Sequence, residues 1–323
     1  MNDAGSQIDN MGRSLQARYS QAFGQDVEMP QDGYFGPDII DIATTLKADI
    51  GDAWLDDDLS KHFLDFREYG LKKEIDKLIS DLALFRVEFD VITGERSIRE
   101  RGLVEVAVEQ LKRNGMTYEA DGATWLKSTE FGDDKDRVII RSDGSYTYVT
   151  PDIAYHLDKM QRGFDRLVDF LGADHHGYVA RLKAAIQALG YDSEALNVQI
   201  IQMVRIIKDN EEYKLSKRSG RSVALRDLIE EVGVDPLRYF FVSRSADTQM
   251  DLDLDLAIAQ SNDNPVYYAQ YAHARMCSIL IQGQTIALTN HFELLVHEKE
   301  IELLKLIADF PSVIADSAKT YQQ

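Results

Sequence analysis

The chain has 323 residues, of which 44% are apolar and 28% charged, and 36 basic against 55 acidic residues give a formal net charge of −19. This length and composition predict about two globular domains, and no apolar run reaches the roughly 20 residues that a membrane span needs. Residues 1–30 carry no signal-peptide pattern, and the single cysteine, Cys277, excludes an internal disulfide and a multi-cysteine zinc site. We therefore expect a protein of the reducing cytoplasm, in which only a local basic surface would bind RNA.

Residues 1–136 favour helices. The acidic run between Asp38 and Asp58 is typical of a solvated face. The pattern over 60–136 indicates a mainly helical insertion. The predicted elements are an amphipathic stretch from Ile8 to Phe23, a helix through Leu71, Ile75, Leu78, Ile79 and Leu82, a short strand over Arg86–Val91, and a helix through Leu103, Val106 and Leu111 that stops at Asn114-Gly115.

From residue 137 strands and helices alternate, which predicts a parallel sheet. The predicted strands are Arg137–Arg141, Tyr146–Val149, Arg166–Leu171 and Val198–Ile207. Thr150-Pro151-Asp152 has the residue types of a helix start, with Thr150 as the cap. A second helix is expected to bury Val179, Leu182, Ile186 and Leu189 and to stop at Gly190.

After Val223 the pattern is helical to the end. The predicted elements are a helix that closes at Gly233, a helix that begins at Asp235-Pro236, and long helices over about 264–282 and 292–310. Asp251, Asp253 and Asp255 could suggest calcium, but Leu256 stands where an EF-hand loop requires glycine. Alternation with leucine instead predicts an extended segment with one packed face.

The strongest chemical signal is the polar loop Lys214-Leu215-Ser216-Lys217-Arg218-Ser219-Gly220. It follows a predicted buried strand. Lysine is a flexible point charge that suits phosphate, and such charges act most strongly where negative charge develops during phosphoryl or nucleotidyl transfer. The loop predicts a clamp for a polyanion rather than an ordinary basic surface loop.

Tyr148 and Asp152 form a second candidate site, because a strand end and the following helix start meet at the ligand-binding edge of a parallel sheet. A carboxylate beside a phenol suits a cationic substrate, and a guanidinium would be held by two hydrogen bonds. Taken alone, a residue such as Asp152 is more often a charge that favours the helix N-terminus than a ligand-binding residue.

The turn from Gly172 to Tyr178 lies on the same predicted edge. Gly172 would let a ligand approach the backbone, while Asp174 and His175 could bind a ribose hydroxyl or an amino group. Adjacent histidines in a turn point in different directions, and no third ligand is evident near His175 and His176, so a metal is not predicted.

One predicted helix carries an aromatic and basic set: Tyr267, Tyr268, Tyr271, His273 and Arg275. Aromatic residues at helical spacing usually belong to a core. The alternative is a polar helix edge that contacts RNA by stacking and phosphate contacts.

These motifs, in this order, resemble the class I arginyl-tRNA synthetases. The blocks that carry the resemblance are Asn2-Asp3-Ala4-Gly5, 144–155, 172–178, 214–220 and the run from Asn264 to Arg275, which together span nearly the whole chain. The resemblance implies an α/β fold with a partial Rossmann-like parallel sheet and a mainly helical insertion, followed by an all-α helical bundle that binds tRNA. It implies four segments: 1–59 in the nucleotide-binding domain, 60–136 as the insertion, 137–222 as the second half of the Rossmann-like domain, and 223–323 as stem-contact and anticodon-binding helices.

The resemblance also implies roles for the candidate residues. Lys214, Ser216, Lys217 and Arg218 would stabilise the ATP phosphates during adenylate formation. Met203, Val204, Gly172 and Asp174 would join Lys214 and Lys217 in binding ATP; Tyr148, Asp152 and His175 would hold arginine; and Tyr271, His273 and Arg275 would contact tRNA. The implied partners are L-arginine, ATP with Mg²⁺ as its counter-ion and tRNA(Arg), with no protein-bound metal and a monomeric full-length protein.

One family motif is missing from this sequence. None of the seven histidines (His62, His156, His175, His176, His273, His291 and His297) has the His-x-Gly-His spacing. We therefore expect an internal portion of a synthetase with very low activity alone, since lost transition-state contacts cost several kcal/mol. A non-catalytic RNA-binding remnant and a class I synthetase for another amino acid remain as alternatives.

Overall fold

The computed structural model describes residues 3, 5–56, 58, 60–213, 223–284 and 290–321. These residues form a mixed α/β structure in which helices predominate and the strands make three small sheets. They divide into two compact units, one up to residue 200 and one from residue 201 onward. No helix of the described residues has the length and apolar character to cross a membrane.

The first unit opens with three helices, α1 (Ser6–Ala22), α2 (Pro37–Ile50) and α3 (Phe63–Leu84). The amphipathic stretch predicted from residue 8 is confirmed, because α1 buries Leu15 and Tyr19 against Leu46 of α2 and Phe66 of α3. The Tyr19 hydroxyl donates a 2.6 Å hydrogen bond to the carbonyl of Gly51, where α2 ends. These contacts join the three helices around one core.

The strand predicted over Arg86–Val91 is wrong. The backbone of Arg86 is left-handed, with φ at 60°, and the Val87 N–H donates back to the carbonyl of Leu82, which ends α3. Phe89 and Val91 on the following segment are 61% and 62% exposed. An alternating pattern forms a strand only beside a partner strand, and none of the described strands pairs with this segment.

Next come α4 (Glu95–Glu100) and α5 (Leu103–Arg113), and then an antiparallel sheet of β1 (Thr117–Ala120), β2 (Ala123–Leu126) and β3 (Arg137–Ile140). The predicted end of α5 at Asn114-Gly115 is confirmed, since Gly115 has a φ of 73° and its N–H donates to Lys112. Strands β1 and β2 are four residues each and carry no clear alternation, so the sequence analysis missed them.

The region that carries the candidate site comprises α6 (Val149–Gln161), β4 (Leu167–Gly172), α7 (Tyr178–Ala188) and β5 (Leu196–Ile201). Its core joins Ile153 and Leu157 of α6 to Ala185 of α7 and to the buried face of α5. Strands β4 and β5 pair with each other. The predicted α7, including its stop at Gly190 with a φ of 96°, is confirmed.

The strand predicted over Tyr146–Val149 is wrong. Tyr146 forms only an isolated bridge with Ile140, and α6 begins at Val149. Thr150 does not cap the helix as expected, because its hydroxyl donates to the carbonyl of Ile139 at 2.7 Å. A tertiary contact with β3 therefore replaces the local cap.

The second unit begins with β6 (Val204–Lys208) and β7 (Glu211–Glu212), and continues with α8 (Leu225–Val232), α9 (Val234–Val242), β8 (Met250–Asp253) and α10 (Leu254–Ile258). β6 pairs in parallel with β8 and antiparallel with β7. The single buried strand predicted over Val198–Ile207 is wrong, since Gln202 and Met203 separate β5 from β6. The Gln202 N–H bonds the carbonyl of Ala246 instead.

The alternating acidic segment forms β8, as predicted from its pattern. Met250 and Leu252 are buried, whereas Asp251 and Asp253 are exposed. Asp251 accepts hydrogen bonds from Arg205 on β6, and Asp253 caps α10 through the Leu256 N–H. Each carboxylate thus has a local structural role.

The chain closes with α11 (Pro265–Gln282) and α12 (Glu298–Thr320). The first agrees with the prediction, and the Asn264 side chain caps it by accepting a bond from the Val266 N–H at 3.0 Å. The second begins later than predicted, because Phe292–Leu294 form a 3₁₀ turn and His297 caps the helix through the Lys299 N–H. Ile307 and Phe310 on α12 are about three-fifths exposed, at 60% and 61%.

Candidate functional site

A half-buried carboxylate lies in the first turn of α6. The Oδ2 atom of Asp152 accepts a 2.6 Å hydrogen bond from the hydroxyl of Tyr178, the first residue of α7. The two residues are 26 positions apart, so the packing of α6 and α7 brings them together. The bond therefore joins the predicted arginine carboxylate to the last residue of the turn over 172–178.

Burial sets the electrostatics of this pair. Burial raises the pKa of Asp152 above its ordinary value, and the negative charges of Glu95 and Asp169 raise it further. The hydrogen bond from Tyr178 and the charge of His156 lower this pKa, but they offset the increase only in part. Burial, together with the Asp152 charge, likewise raises the pKa of Tyr178 well above its usual range. Tyr178 therefore stays a hydrogen-bond donor, and Asp152 is a carboxylate that a nearby cation would stabilise.

The turn after β4 lies next to this pair. The rings of His175 and Tyr178 meet edge to face with centroids 6.1 Å apart, and the Arg181 guanidinium lies 4.7 Å from the Tyr178 centroid. Nε2 of His175 lies 3.5 Å from Oδ2 of Asp174, with both side chains at least half exposed. Asp152 and His175, two of the predicted site residues, are thus joined through Tyr178.

Gly172 ends β4 at the base of the same turn. A Cβ added there would come within 2.8 Å of a carboxylate oxygen of Asp174. Any side chain at Gly172 would displace Asp174, so glycine leaves room for the conformation that the Asp174 carboxylate adopts.

Tyr148 is placed differently from its prediction. It is the N-cap residue of α6 rather than a strand end, and it is 85% exposed. Within the described part of the chain, no hydrogen bond joins Tyr148 and Asp152; the phenol that binds this carboxylate is Tyr178. Sequence reasoning included Tyr178 in the 172–178 turn but gave it no role, although a phenol next to a predicted ligand loop was a usable signal.

A second polar group lies behind Asp152 and was not predicted. Nδ1 of His156 lies 2.7 Å from the carbonyl oxygen of Asp152, and Nε2 lies 2.6 Å from Oδ2 of Asp169 on β4. Nζ of Lys159 donates to the other Asp169 oxygen at 2.8 Å. Burial raises the pKa of Asp169, but the bonds and charges of His156 and Lys159 outweigh it and lower that pKa to about 2.

The other predicted residues fall in the second unit or outside the described residues. Met203, 75% exposed, lies in the break before β6, and Val204 begins β6 and pairs with Met250. Lys214, Ser216, Lys217 and Arg218, the predicted phosphate clamp, lie outside the described residues.

On α11, Tyr271 and Arg275 pair with each other. Nη1 of Arg275 donates to the Tyr271 hydroxyl at 3.2 Å, and His273 lies 3.7 Å from the sulfur of Cys277. Tyr268 and Tyr271 are 55% and 47% exposed, which disagrees with the expectation that this aromatic set belongs to a core. Tyr267 is half-buried, whereas Tyr268, Tyr271, His273 and Arg275 are exposed.

Where the structure describes the chain, it contains no group of three or more histidine, cysteine or acidic side chains placed to hold a metal ion. His175 and His176 accordingly have no third ligand among these residues. The chemistry that the described cluster supports is the binding of a cation by a half-buried carboxylate and its phenol donor.

Comparison with known proteins defines the class first. Residues 51–251 match the family described as tRNA synthetases class I (R), catalytic domain, and residues 269–323 match the DALR anticodon binding domain. A Campylobacter jejuni protein described as an arginyl-tRNA synthetase has a similar structure, with a TM-score of 0.87, 32% identity and coverage of 99% of this chain and 70% of that one. The arginyl-tRNA synthetase of Thermus thermophilus shares the fold with a TM-score of 0.69 at 16% identity, over 97% of this chain and 63% of that one.

The curated relatives narrow the assignment. Arginine–tRNA ligase 2 of Bacillus thuringiensis subsp. konkukian is 54% identical over 99% of this chain, and the arginine–tRNA ligase of Shouchella clausii is 55% identical over 98%. The chain belongs to the arginyl-tRNA synthetase family of class I. It spans 58% of the length of each of these two relatives.

Proposed function

We propose that this chain carries out, or forms part of a protein that carries out, the arginine–tRNA ligase reaction. In that reaction ATP activates the carboxylate of L-arginine, and the arginyl group is then transferred to the terminal ribose of tRNA(Arg). The observation that carries the proposal is the half-buried Asp152 carboxylate, bound by Tyr178 at the start of α6, in a chain of this family. A guanidinium would supply the positive charge and the two donors that such a carboxylate lacks.

The geometry of the first unit supports a role for each residue in arginine binding. Asp152 would bind the guanidinium, and Tyr178 would hold the carboxylate in place. His175, in contact with the Tyr178 ring, would line the same pocket, and the exposed phenol of Tyr148 would close over the substrate. An analogue without the guanidinium would leave Asp152 without a counter-charge, which is a strong source of specificity.

The ATP roles rest on the family resemblance. Gly172, Asp174, Met203 and Val204 would contact the nucleotide, and Lys214, Ser216, Lys217 and Arg218 would stabilise its phosphates together with Mg²⁺ as counter-ion. Cations are effective in this place because the phosphates gain negative charge on the way to the adenylate. The reaction would take place in the cytoplasm, with a monomeric full-length protein.

The segment roles are part of the same proposal. Residues 1–59 and 137–222 would form a Rossmann-like catalytic domain with 60–136 as its insertion, and 223–323 would contact tRNA. The exposed Tyr271, His273 and Arg275 on α11 support the last assignment, because exposed aromatic and basic side chains can stack on bases and bind phosphates.

Titration calorimetry with L-arginine, L-citrulline and L-lysine tests the substrate class. Citrulline keeps the shape of arginine and loses its charge, whereas lysine keeps a charge and loses the planar pair of donors. We expect arginine to bind at least about a hundredfold more tightly than citrulline, since a buried charge pair is worth about 3 kcal/mol when one partner is removed. Equal affinity for arginine and citrulline would contradict the role of Asp152.

Arginine-dependent exchange of pyrophosphate into ATP, with tRNA(Arg) present, tests the reaction itself. A second candidate is a non-catalytic protein that binds tRNA, and the exposed Tyr271 and Arg275 on α11 are the observation that favours it. Retention of labelled tRNA on the chain without any exchange supports that candidate. Exchange that depends on another amino acid would indicate a different class I synthetase.

A further inference from the structure

His156 is a buried imidazole with an acceptor on each side. It lies one turn after Asp152 on α6 and is 5% exposed. Its two ring nitrogens contact the Asp152 carbonyl oxygen and the Asp169 carboxylate, and neither of these groups can donate a hydrogen bond when the carboxylate is ionised. Burial raises the pKa of Asp169, but the bonds and charges of His156 and Lys159 lower it to about 2, so this group is a carboxylate. Only the imidazolium form of His156, with a proton on each nitrogen, satisfies both acceptors.

This cation lies directly behind the carboxylate that the proposed function assigns to arginine. Burial opposes a negative charge on Asp152, and a nearby positive charge favours it. We propose that His156, protonated on both ring nitrogens and held in place by Asp169, is a positioning residue that keeps Asp152 ionised and correctly oriented before a guanidinium arrives. This inference rests on the proposed function only for the identity of the ligand.

Asp169 makes the arrangement compatible with a cationic substrate. An isolated imidazolium would repel a guanidinium, and the negative charge of Asp169 beside the ring offsets part of this repulsion. The two cations His156 and Lys159 balance the two carboxylates Asp152 and Asp169. The titratable and charged groups that face this cluster are Lys159 and Tyr155 from α6, Asp169 from β4, Glu95 from α4, and Tyr178 and Arg181 from α7.

The ring protonation can be measured in the unaltered chain. Long-range ¹⁵N–¹H spectra distinguish an imidazolium from either neutral tautomer, and sequential resonance assignment of the parent chain identifies the His156 ring. We expect both nitrogens of His156 to be protonated at pH 7.5. A neutral ring at that pH overturns the proposal, even if the variant fails to fold.

The effect on Asp152 is measured by the ¹³C shift of its side-chain carboxyl across a pH titration. In His156→Gln we expect the midpoint to move upward by about one pH unit, a tenfold change in proton affinity. Lys183→Gln is the matched control, because it also removes a cation of the first unit but one that pairs with Glu194 on the surface. An unchanged midpoint in His156→Gln, or an equal shift in Lys183→Gln, overturns the proposal.

Arginine binding separates this inference from the proposed function. The affinity ratio between the parent chain and His156→Gln should be near one at pH 8.5 and should rise toward tenfold as the pH falls below both carboxyl midpoints, since the variant carboxyl takes up its proton at higher pH. An equal loss at every pH would indicate a structural role only, which overturns the proposal. If the parent chain binds no arginine at any pH, the proposed function fails, and the Asp152 titration still decides the role of His156.

Discussion

Helices α6 and α12 have comparable apolar content but opposite surroundings. α6 buries nine of its 13 residues, among them His156 and Asp158, whereas α12 buries none of its 23. A charge on α6 therefore lies in a medium that cannot screen it, and a charge on α12 lies in water. The comparison shows why burial perturbs the pKa values of Asp152 on α6 and of Asp169 beside it, and why Tyr271 and Arg275 on the exposed α11 have the character of a contact surface instead.

The largest expected effect is the loss of unfolding free energy when a buried ion pair is broken, compared with the loss for an exposed pair. Arg137 makes a bidentate bond with Asp133, both distances being 2.7 Å, and the two side chains are 13% and 2% exposed. Arg137→Met should lower the free energy of unfolding by about 4 kcal/mol, because it leaves a buried carboxylate unpaired. Urea denaturation measures this.

Lys72→Met is its control. The Lys72–Asp76 pair joins residues four apart on α3 and is mostly exposed, at 72% and 53%. Its loss should cost no more than about 0.5 kcal/mol. If Arg137→Met and Lys72→Met lose similar amounts of unfolding free energy, burial does not determine what an ion pair contributes to the stability of this chain.

The next largest effect concerns the candidate site. Asp152→Ala should weaken arginine binding by about 3 kcal/mol, roughly a hundredfold, because the guanidinium loses its charged acceptor. Thermal melting should show that the variant still folds, since burial disfavours the carboxylate that it removes. Asp165→Ala, at an exposed acidic position of the same unit, should leave binding unchanged. Unaltered arginine affinity in Asp152→Ala would remove the basis of the proposed function.

A third prediction concerns acid stability. The folded-state pKa of Asp169 is about 2, below its ordinary value of 3.8. The ionised carboxylate therefore stabilises the folded state fully above pH 4, and this contribution is lost as the pH falls toward 2. It amounts to about 2 kcal/mol. In Asp169→Asn the unfolding free energy should decline less between pH 4.5 and 2.5 than in the parent chain. Parallel curves would show that Asp169 is not the group that titrates.

The smallest expected effect is a difference in unfolding free energy between matched variants of α6 and α12. Ile153→Val on α6 removes one methyl group from a fully buried side chain and should cost about 1 kcal/mol. The same change at Ile307 on α12, which is 60% exposed, should cost a few tenths of a kcal/mol at most. Chemical denaturation of the two variants checks the difference, and equal costs would contradict the distinct surroundings of α6 and α12.

The amino-acid sequence by itself determined the helices whose signals are local. Apolar spacing and glycine stops placed α5 and α7, and Asn264-Pro265 placed the start of α11. It also identified the family and singled out Asp152, because these conclusions depend on residue types at fixed spacings along the chain.

Only the tertiary structure decided what those residues contact. Thr150 bonds β3 instead of capping α6, the segment 86–91 pairs with none of the described strands, and the phenol on Asp152 is Tyr178 rather than Tyr148. The contact of His156 with Asp169 likewise joins residues 13 positions apart on different elements. Local patterns depend on neighbours in the chain, whereas hydrogen bonds and burial depend on which distant segments pack together, and that packing is what gives Asp152 its chemistry.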